Sequence, residues 1–177
     1  MITYQELTAD WLPNIWRIDR SEVIEKVYHL RHGELVLERE FYDMSGWPPG
    51  LPESAAPVLA ECLEEGGLLL GAVDGGKLIG AAVLESRFMG QPPDQLQLVF
   101  LHVSREFRSR GVGRKLFLLA AGRARKLGAR RLYISATPSE NTVNFYLALG
   151  CVLVREPDPV LFAEEPEDIH LEYQLFM

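Results

Sequence analysis

The chain has 177 residues, with 25 Asp and Glu against 18 Lys and Arg, a formal net charge of −7, and 47% hydrophobic residues. A chain of about 150 residues buries roughly 68–70% of its unfolded surface, so this length suits one α/β domain over residues 1–177 with a real core. The apolar content excludes intrinsic disorder. Two cysteines, Cys62 and Cys151, exclude a disulfide scaffold and read as buried free thiols of a reducing compartment.

No run approaches the roughly 18–20 apolar residues that a membrane span needs. Met1–Glu6 has neither the basic nor the apolar region of a signal peptide. A cytoplasmic location with no membrane partner is expected.

In chain order, Trp11, Leu12, Ile15 and Ile18 fall on one helical face behind Thr8 and Asp10, with Pro13 tolerated only early in such a helix. Val23–Leu30 and Glu34–Tyr42 alternate around Arg31-His32-Gly33 and predict a hairpin. Gly46–Gly50 is a loop, and Pro52–Glu65 has helical spacing that stops at Gly66-Gly67. Leu68–Val73 and Lys77–Phe88 predict strands around Asp74-Gly75-Gly76. Gln95–Val103 alternates and then turns wholly apolar, as a central strand does. Gly113–Leu127 is an amphipathic helix with Leu116, Phe117, Ala120, Ala124 and Leu127 inward. A strand over Leu132–Ala136, a helix over Ser139–Leu149 closed by Gly150, a strand over Cys151–Arg155, an acidic loop over Asp158–Asp168 and a last strand over Ile169–Phe176 complete the chain.

The charge is unevenly spread. Arg105 to Arg131 holds ten of the 18 basic residues and one acid, Glu106, so this segment is +9 and the remainder −16. Such asymmetry points to an anionic partner at one place. Within it lies Arg108-Ser-Arg-Gly111-Val-Gly113, between a buried strand and a helix. Gly111 and Gly113 permit a sharp turn and a close backbone approach to a ligand. The first amides of the helix have no internal partner, and the helix dipole favours an anion there, so Arg108–Arg114 reads as a phosphate cradle. A Walker A loop would need Gly-Lys-Ser/Thr where Gly113-Arg114-Lys115 stands, and the dinucleotide fingerprint would need Gly where Leu116 stands. Short motifs of this kind also occur as plain helix starts with a solvated basic face.

Arg108-x-x-Gly111-x-Gly113 resembles the acetyl-CoA signature of the GNAT family of N-acetyltransferases, Gln/Arg-x-x-Gly-x-Gly/Ala. Asn141-Thr-Val-Asn-Phe-Tyr146-Leu-Ala-Leu-Gly150-Cys151 resembles the family's second block, and the order of elements agrees. The likeness covers about residues 68–176; residues 1–67 correspond to the family's variable part. It implies a mixed, mostly antiparallel sheet that splays after Gln95–Val103, with flanking helices. Acetyl-CoA is the implied co-substrate and no metal is implied. Backbone groups of Leu101, His102 and Val103 would meet pantetheine and supply an oxyanion contact. Arg108, Ser109, Arg110, Gly111, Val112, Gly113 and Arg114 would surround the phosphates. Tyr146 stands where many members carry the acid that protonates the leaving thiolate; as a residue beside Phe145 it also reads as core.

Three positions depart from the family pattern. The helix Asn that often contacts CoA is replaced by Ser139, with Asn141 nearby. A strand Glu that serves some members as base is replaced by Gln97, which leaves Glu85 and His102 as candidate bases, or a water chain. Cys151 stands for the common Phe after Gly150 and reads as core. The Tyr42–Trp47 and Phe88–Asp94 loops are expected at the acceptor end of the cleft, and Glu164, Glu165, Glu167 and Asp168 suit either a cationic acceptor or a solvated loop.

The resemblance implies an N-acetyltransferase acting on a small-molecule or peptide amine, and it admits a homodimer. The alternative is a CoA-binding sensor or interaction protein without transfer activity. A nucleic-acid partner is disfavoured, because the net charge is negative and no stacking aromatics interleave with the arginines.

Overall fold

The computed structural model describes residues 1–176. In chain order it contains β1 (Thr3–Leu7), a 3-10 helix (Ala9–Arg17), β2 (Glu22–Arg31), β3 (Glu34–Met44), α1 (Leu51–Glu64), β4 (Leu68–Asp74), β5 (Lys77–Leu84) and β6 (Gln95–Val103). A short 3-10 turn (Arg105–Phe107), α2 (Val112–Lys126), β7 (Arg131–Ala136), α3 (Glu140–Leu149), β8 (Val152–Leu153), α4 (Pro159–Glu164) and β9 (Ile169–Gln174) follow. Seven strands form one sheet in the order β1-β4-β5-β6-β7-β9-β8, and β2 and β3 pair as a separate hairpin. All pairings in the large sheet are antiparallel except β6 with β7. Among the described residues no helix is long and apolar enough to cross a membrane.

Strand alternation divides the sheet's side chains between two cores. On one face Leu70, Ile79, Ala82 and Leu98 meet Leu116, Phe117 and Ala120 of α2. On the other, Leu69, Val83 and Phe100 meet Ile15 and Ile18 of the 3-10 segment and Leu59 of α1. The apolar stripe predicted for α2 is the stripe that is buried, with one exception. Leu127 is exposed, because the helix ends at Lys126 and Leu127 belongs to the C-terminal turn, with its N–H on the Arg123 carbonyl.

The hairpin leans on α3. Tyr28 N–H donates to the Pro138 carbonyl at 2.8 Å and Tyr28 Oη donates to Asn144 Oδ1 at 2.7 Å. Several expected boundaries shift for local reasons. The segment predicted as a helix at Trp11–Ile18 is 3-10, with Pro13 inside it. β5 stops at Leu84 and not at Phe88, because Glu85 Oε1 accepts from Ser86 N–H and Arg87 N–H and turns the chain. β8 keeps only two residues of the predicted Cys151–Arg155 strand. The late acidic segment contains α4, capped by the Asp158 carboxylate on Val160 N–H and Leu161 N–H with Pro159 at its first position. β1 pairs with β4 at the sheet edge, where the sequence reading assigned no strand.

Candidate active site

β6 and β7 pair only through Gln95–Gln97 opposite Arg131–Tyr133. Beyond Gln97 the two strands part: β6 continues on β5 as far as Val103 opposite Gly80, and β7 continues on β9. A register shift opposite Val83 and Leu84 puts Val99 out of step on β6 where the separation begins. The result is a cleft of about 790 Å³. Leu98–Val103 form one wall, Ser135–Thr137 with Asn141, Phe145 and Tyr146 the other, and the loop before α2 closes one end.

That loop is shaped by two left-handed residues, Ser109 at φ 60° and Gly111 at φ 80°. Lys115 N–H is the first to reach a carbonyl, that of Gly111. Among the described residues the amides of Ser109 to Arg114 donate to no backbone carbonyl. A Cβ at Gly113 would stand 3.4 Å from the Phe145 ring, so glycine lets α2 start against α3. Ser109, Gly111, Gly113, Arg114 and Arg105 line the cleft. Val112 turns into the core, and the Arg110 guanidinium lies 5.6 Å from the Phe107 ring centre.

Arg108 lines the cleft as expected, and three of its N–H donors also engage the protein. Its Nε donates to the Val103 carbonyl at 2.9 Å, Nη1 to Ser21 at 3.0 Å and Nη2 to Asp19 at 2.9 Å. All three nitrogens are engaged on the protein, so the guanidinium holds the end of β6 and the start of the hairpin together.

The catalytic candidates separate in the same way. Tyr146 is buried on the cleft wall against Phe145 and Phe117, and among the described residues its hydroxyl has no hydrogen-bond partner. Burial, and then Cys151 beside it, raise the phenol above its usual range. His102 also lines the cleft, with its ring centre 4.8 Å from Trp47 and 4.7 Å from Phe100. Burial, reinforced by the Arg20 and Arg108 charges, pushes its imidazole down to about 3. It is therefore neutral and a weak base. Glu85 is not brought to the cleft: its N–H meets the Gln97 carbonyl at the opposite end of β6, and its carboxylate is taken by Ser86 and Arg87.

Ser139 caps α3, accepting from Thr142 N–H at 3.3 Å, and is buried away from the cleft. Asn141 is the residue of the two that reaches the cleft wall. The thiols of Cys62 and Cys151 are buried and pushed up to about 12, as core thiols are. None of the described residues of Phe88–Asp94 or of the late acidic segment lines the cleft, although Asp168 accepts from Ser135 Oγ at 2.8 Å on its rim. His29, Glu38 and Glu40 cluster on the hairpin outside the cleft, where Arg31 and Tyr42 already occupy the two carboxylates.

Among the cleft residues that escaped the sequence reading are two charged ones from the start of the hairpin, Arg20 and Glu22. Glu22 is the one carboxylate on the wall among the described residues, and its Oε1 accepts from Asn141 Nδ2 at 3.2 Å. Both stand at the entry to β2, far in sequence from either motif, and only an expected approach of the hairpin to the phosphate loop could have suggested them.

The fold is similar to that of nourseothricin acetyltransferase, at 20% identity over 99% of both chains with a TM-score of 0.72. A Bacillus anthracis protein assigned as a streptothricin acetyltransferase, solved with acetyl coenzyme A, is similar at 19% identity over 100% of this chain and 99% of that one, with a TM-score of 0.74. An N-acetyltransferase of Thermoplasma acidophilum, solved with coenzyme A, gives 17% identity, 98% and 99% coverage and a TM-score of 0.62. At these identities the likeness is one of fold. A search of curated proteins finds no match. The family model described as "Acetyltransferase (GNAT) family" matches residues 27–151, a span that includes the splayed strand, the amide loop and Tyr146, and the chain belongs to that family.

Proposed function

We propose that the cleft binds acetyl-CoA and that the enzyme moves its acetyl group to a primary amine by direct attack in a ternary complex. One observation carries this reading: the unpaired edge of β6 and the free amides of Ser109–Arg114 open into the same cleft. An extended pantetheine arm has amides that a free strand edge can pair. A pyrophosphate suits a helix start with unpaired N–H groups, flanked here by Arg105 and Arg114.

The thioester is the activated acyl donor; the chain's own groups do the rest. A β6 amide facing the cleft donates to the carbonyl oxygen where negative charge develops under attack. Tyr146 supplies the proton for the departing sulfur. Its raised pKa keeps the phenol protonated through the neutral range, and no protein acceptor ties it down. Glu22 receives the proton of the amine, directly or through water, because Glu85 is elsewhere and His102 is too weak a base.

The test is a thermal-shift titration with CoA followed by a thiol-release screen over chemically diverse amines. A rise in melting temperature with CoA and thiol release with at least one amine are expected. No stabilisation by CoA overturns the reading altogether. Stabilisation without thiol release from any amine leaves a CoA-binding protein without transfer activity.

A further inference from the structure

Arg20 stands just before β2. It lines the cleft, yet its guanidinium donates no hydrogen bond to the protein among the described residues, and Nη1 is sealed from solvent with no acceptor in reach. The group lies 5.3 Å from the Trp47 ring centre, and burial lowers its pKa. No acid lies within ion-pair distance of it among the described residues; Glu22, two residues on, is bonded to Asn141. A half-buried guanidinium that rests on one aromatic ring, with neither a hydrogen-bond partner nor full hydration, is costly unless a ligand completes it.

The residue is also held in place. Asp19 N–H donates to Ser104 Oγ, the Asp19 carbonyl accepts from Arg105 N–H and Arg108, and the Ser21 carbonyl accepts from Arg108. Both neighbours of Arg20 are thus fixed to the loop that follows β6.

The face of β6 that Arg20 occupies decides what the ligand is. Leu101 and Val103 turn toward the α2 core, on the side where the free amides form the phosphate cradle. Phe100 and His102 turn the other way and pack with Trp47, and Arg20 lies on Trp47. The cofactor's phosphates have their own donors on the first side, which leaves the second side to the acceptor.

We infer that Arg20 holds the carboxylate of the acceptor, and that the substrate is an amine bearing a carboxylate, such as a free amino acid. The edge of the guanidinium away from the sealed Nη1, Nε with Nη2, suits a carboxylate with two donors. Glu22, two residues on and bonded to Asn141 of the facing wall, stands in the same cleft for the amine end. This inference rests on the acetyl-transfer reading above and narrows its acceptor.

Matched acceptors test it: lysine against cadaverine, and phenylalanine and methionine each against its carboxamide, by thiol release with wild type, Arg20→Lys and Arg20→Met. The carboxylate member should be preferred at least tenfold by kcat/KM in wild type. That ratio should fall toward one in Arg20→Met and be partly kept in Arg20→Lys, with the KM for acetyl-CoA within twofold of wild type. An equal or reversed preference in wild type overturns the proposal, and so does a preference that survives in folded Arg20→Met. A tenfold rise in the KM for acetyl-CoA would instead assign Arg20 to the cofactor's phosphates. Calorimetry of N-acetyl-lysine against its carboxamide on the CoA-bound protein needs no turnover. Selective binding of the carboxylate that is lost in Arg20→Met keeps the site even if transfer fails, and equal or absent binding of the two removes it.

Discussion

Arg108 and Asp19, 89 residues apart, are joined by a 2.9 Å hydrogen bond from the guanidinium Nη2 to the Asp19 carbonyl. The arginine that opens the phosphate-loop motif is therefore a brace between the end of β6, the loop and the start of the hairpin. Its positive charge still adds to the field at the cleft it lines, while one donor on each of its three nitrogens is held by Val103, Ser21 or Asp19.

Replacing Arg108 by Met removes three charge-assisted hydrogen bonds and leaves three carbonyls to find water. A loss of about 2–3 kcal/mol of stability is expected, since bonds to charged groups are worth roughly 1.5–3 kcal/mol each and part of the site can rehydrate. Arg108→Lys should recover little, because one ammonium cannot span three carbonyls in fixed directions. Urea unfolding of the three proteins checks this. A loss under about 0.5 kcal/mol, as at an ordinary surface site, would remove the brace.

Tyr146→Phe deletes a hydroxyl that has no protein partner, so folding should be almost unaffected. If the phenol protonates the leaving thiolate, kcat should fall by about 100-fold, the low end for an acid of this kind, with little change in the KM for acetyl-CoA. Glu22→Gln should lower kcat as well, while Glu85→Gln should act on stability alone, since its carboxylate holds the turn at Ser86 and Arg87. Steady-state kinetics with both substrates varied separates these outcomes.

Ser139 and Asn141 should part company in a similar way. Ser139→Ala removes the N-cap of α3 and should cost about 1 kcal/mol with the KM for acetyl-CoA unchanged. Asn141→Ala touches an exposed side chain on the cleft wall, so it should leave stability within about 0.5 kcal/mol and weaken substrate binding. Thermal melts and KM values for the two variants check the pair.

How much of this could be read in advance depended on whether the signal was local. α2 and its loop were legible because glycine placement, apolar spacing and charge all agree within Arg108–Lys126. The hairpin was legible from strand alternation. β1 was not, because Thr3–Leu7 is an edge strand with only Leu7 buried, so its pattern carries almost no apolar period. The roles of Arg108, Glu85 and Ser139 were hidden for a different reason. Each is decided by which carbonyl or amide a long or capping side chain meets, and for Arg108 that partner is 87 or 89 residues away. Arg20 and Glu22 were invisible because the cleft recruits them from outside both motifs.

His102 should shape the acid side of the stability profile without acting as the base. Its imidazole is near 3 in the folded protein against an ordinary 6.5. Below about pH 6.5 the unfolded chain takes up a proton there that the folded chain refuses until about pH 3. Stability from this group is therefore full above pH 6.5 and is lost as pH falls toward 3, at no more than about 1.4 kcal/mol per pH unit. His102→Gln removes the titration, so its stability relative to wild type should rise steadily from pH 6.5 to pH 4 in parallel urea melts. The pH dependence of kcat/KM between 6 and 8 should keep its shape in the variant, since a group neutral throughout that range contributes no limb. A limb near pH 6.5 that vanishes in His102→Gln would show an imidazole titrating at its ordinary value, and His102 would return as the base.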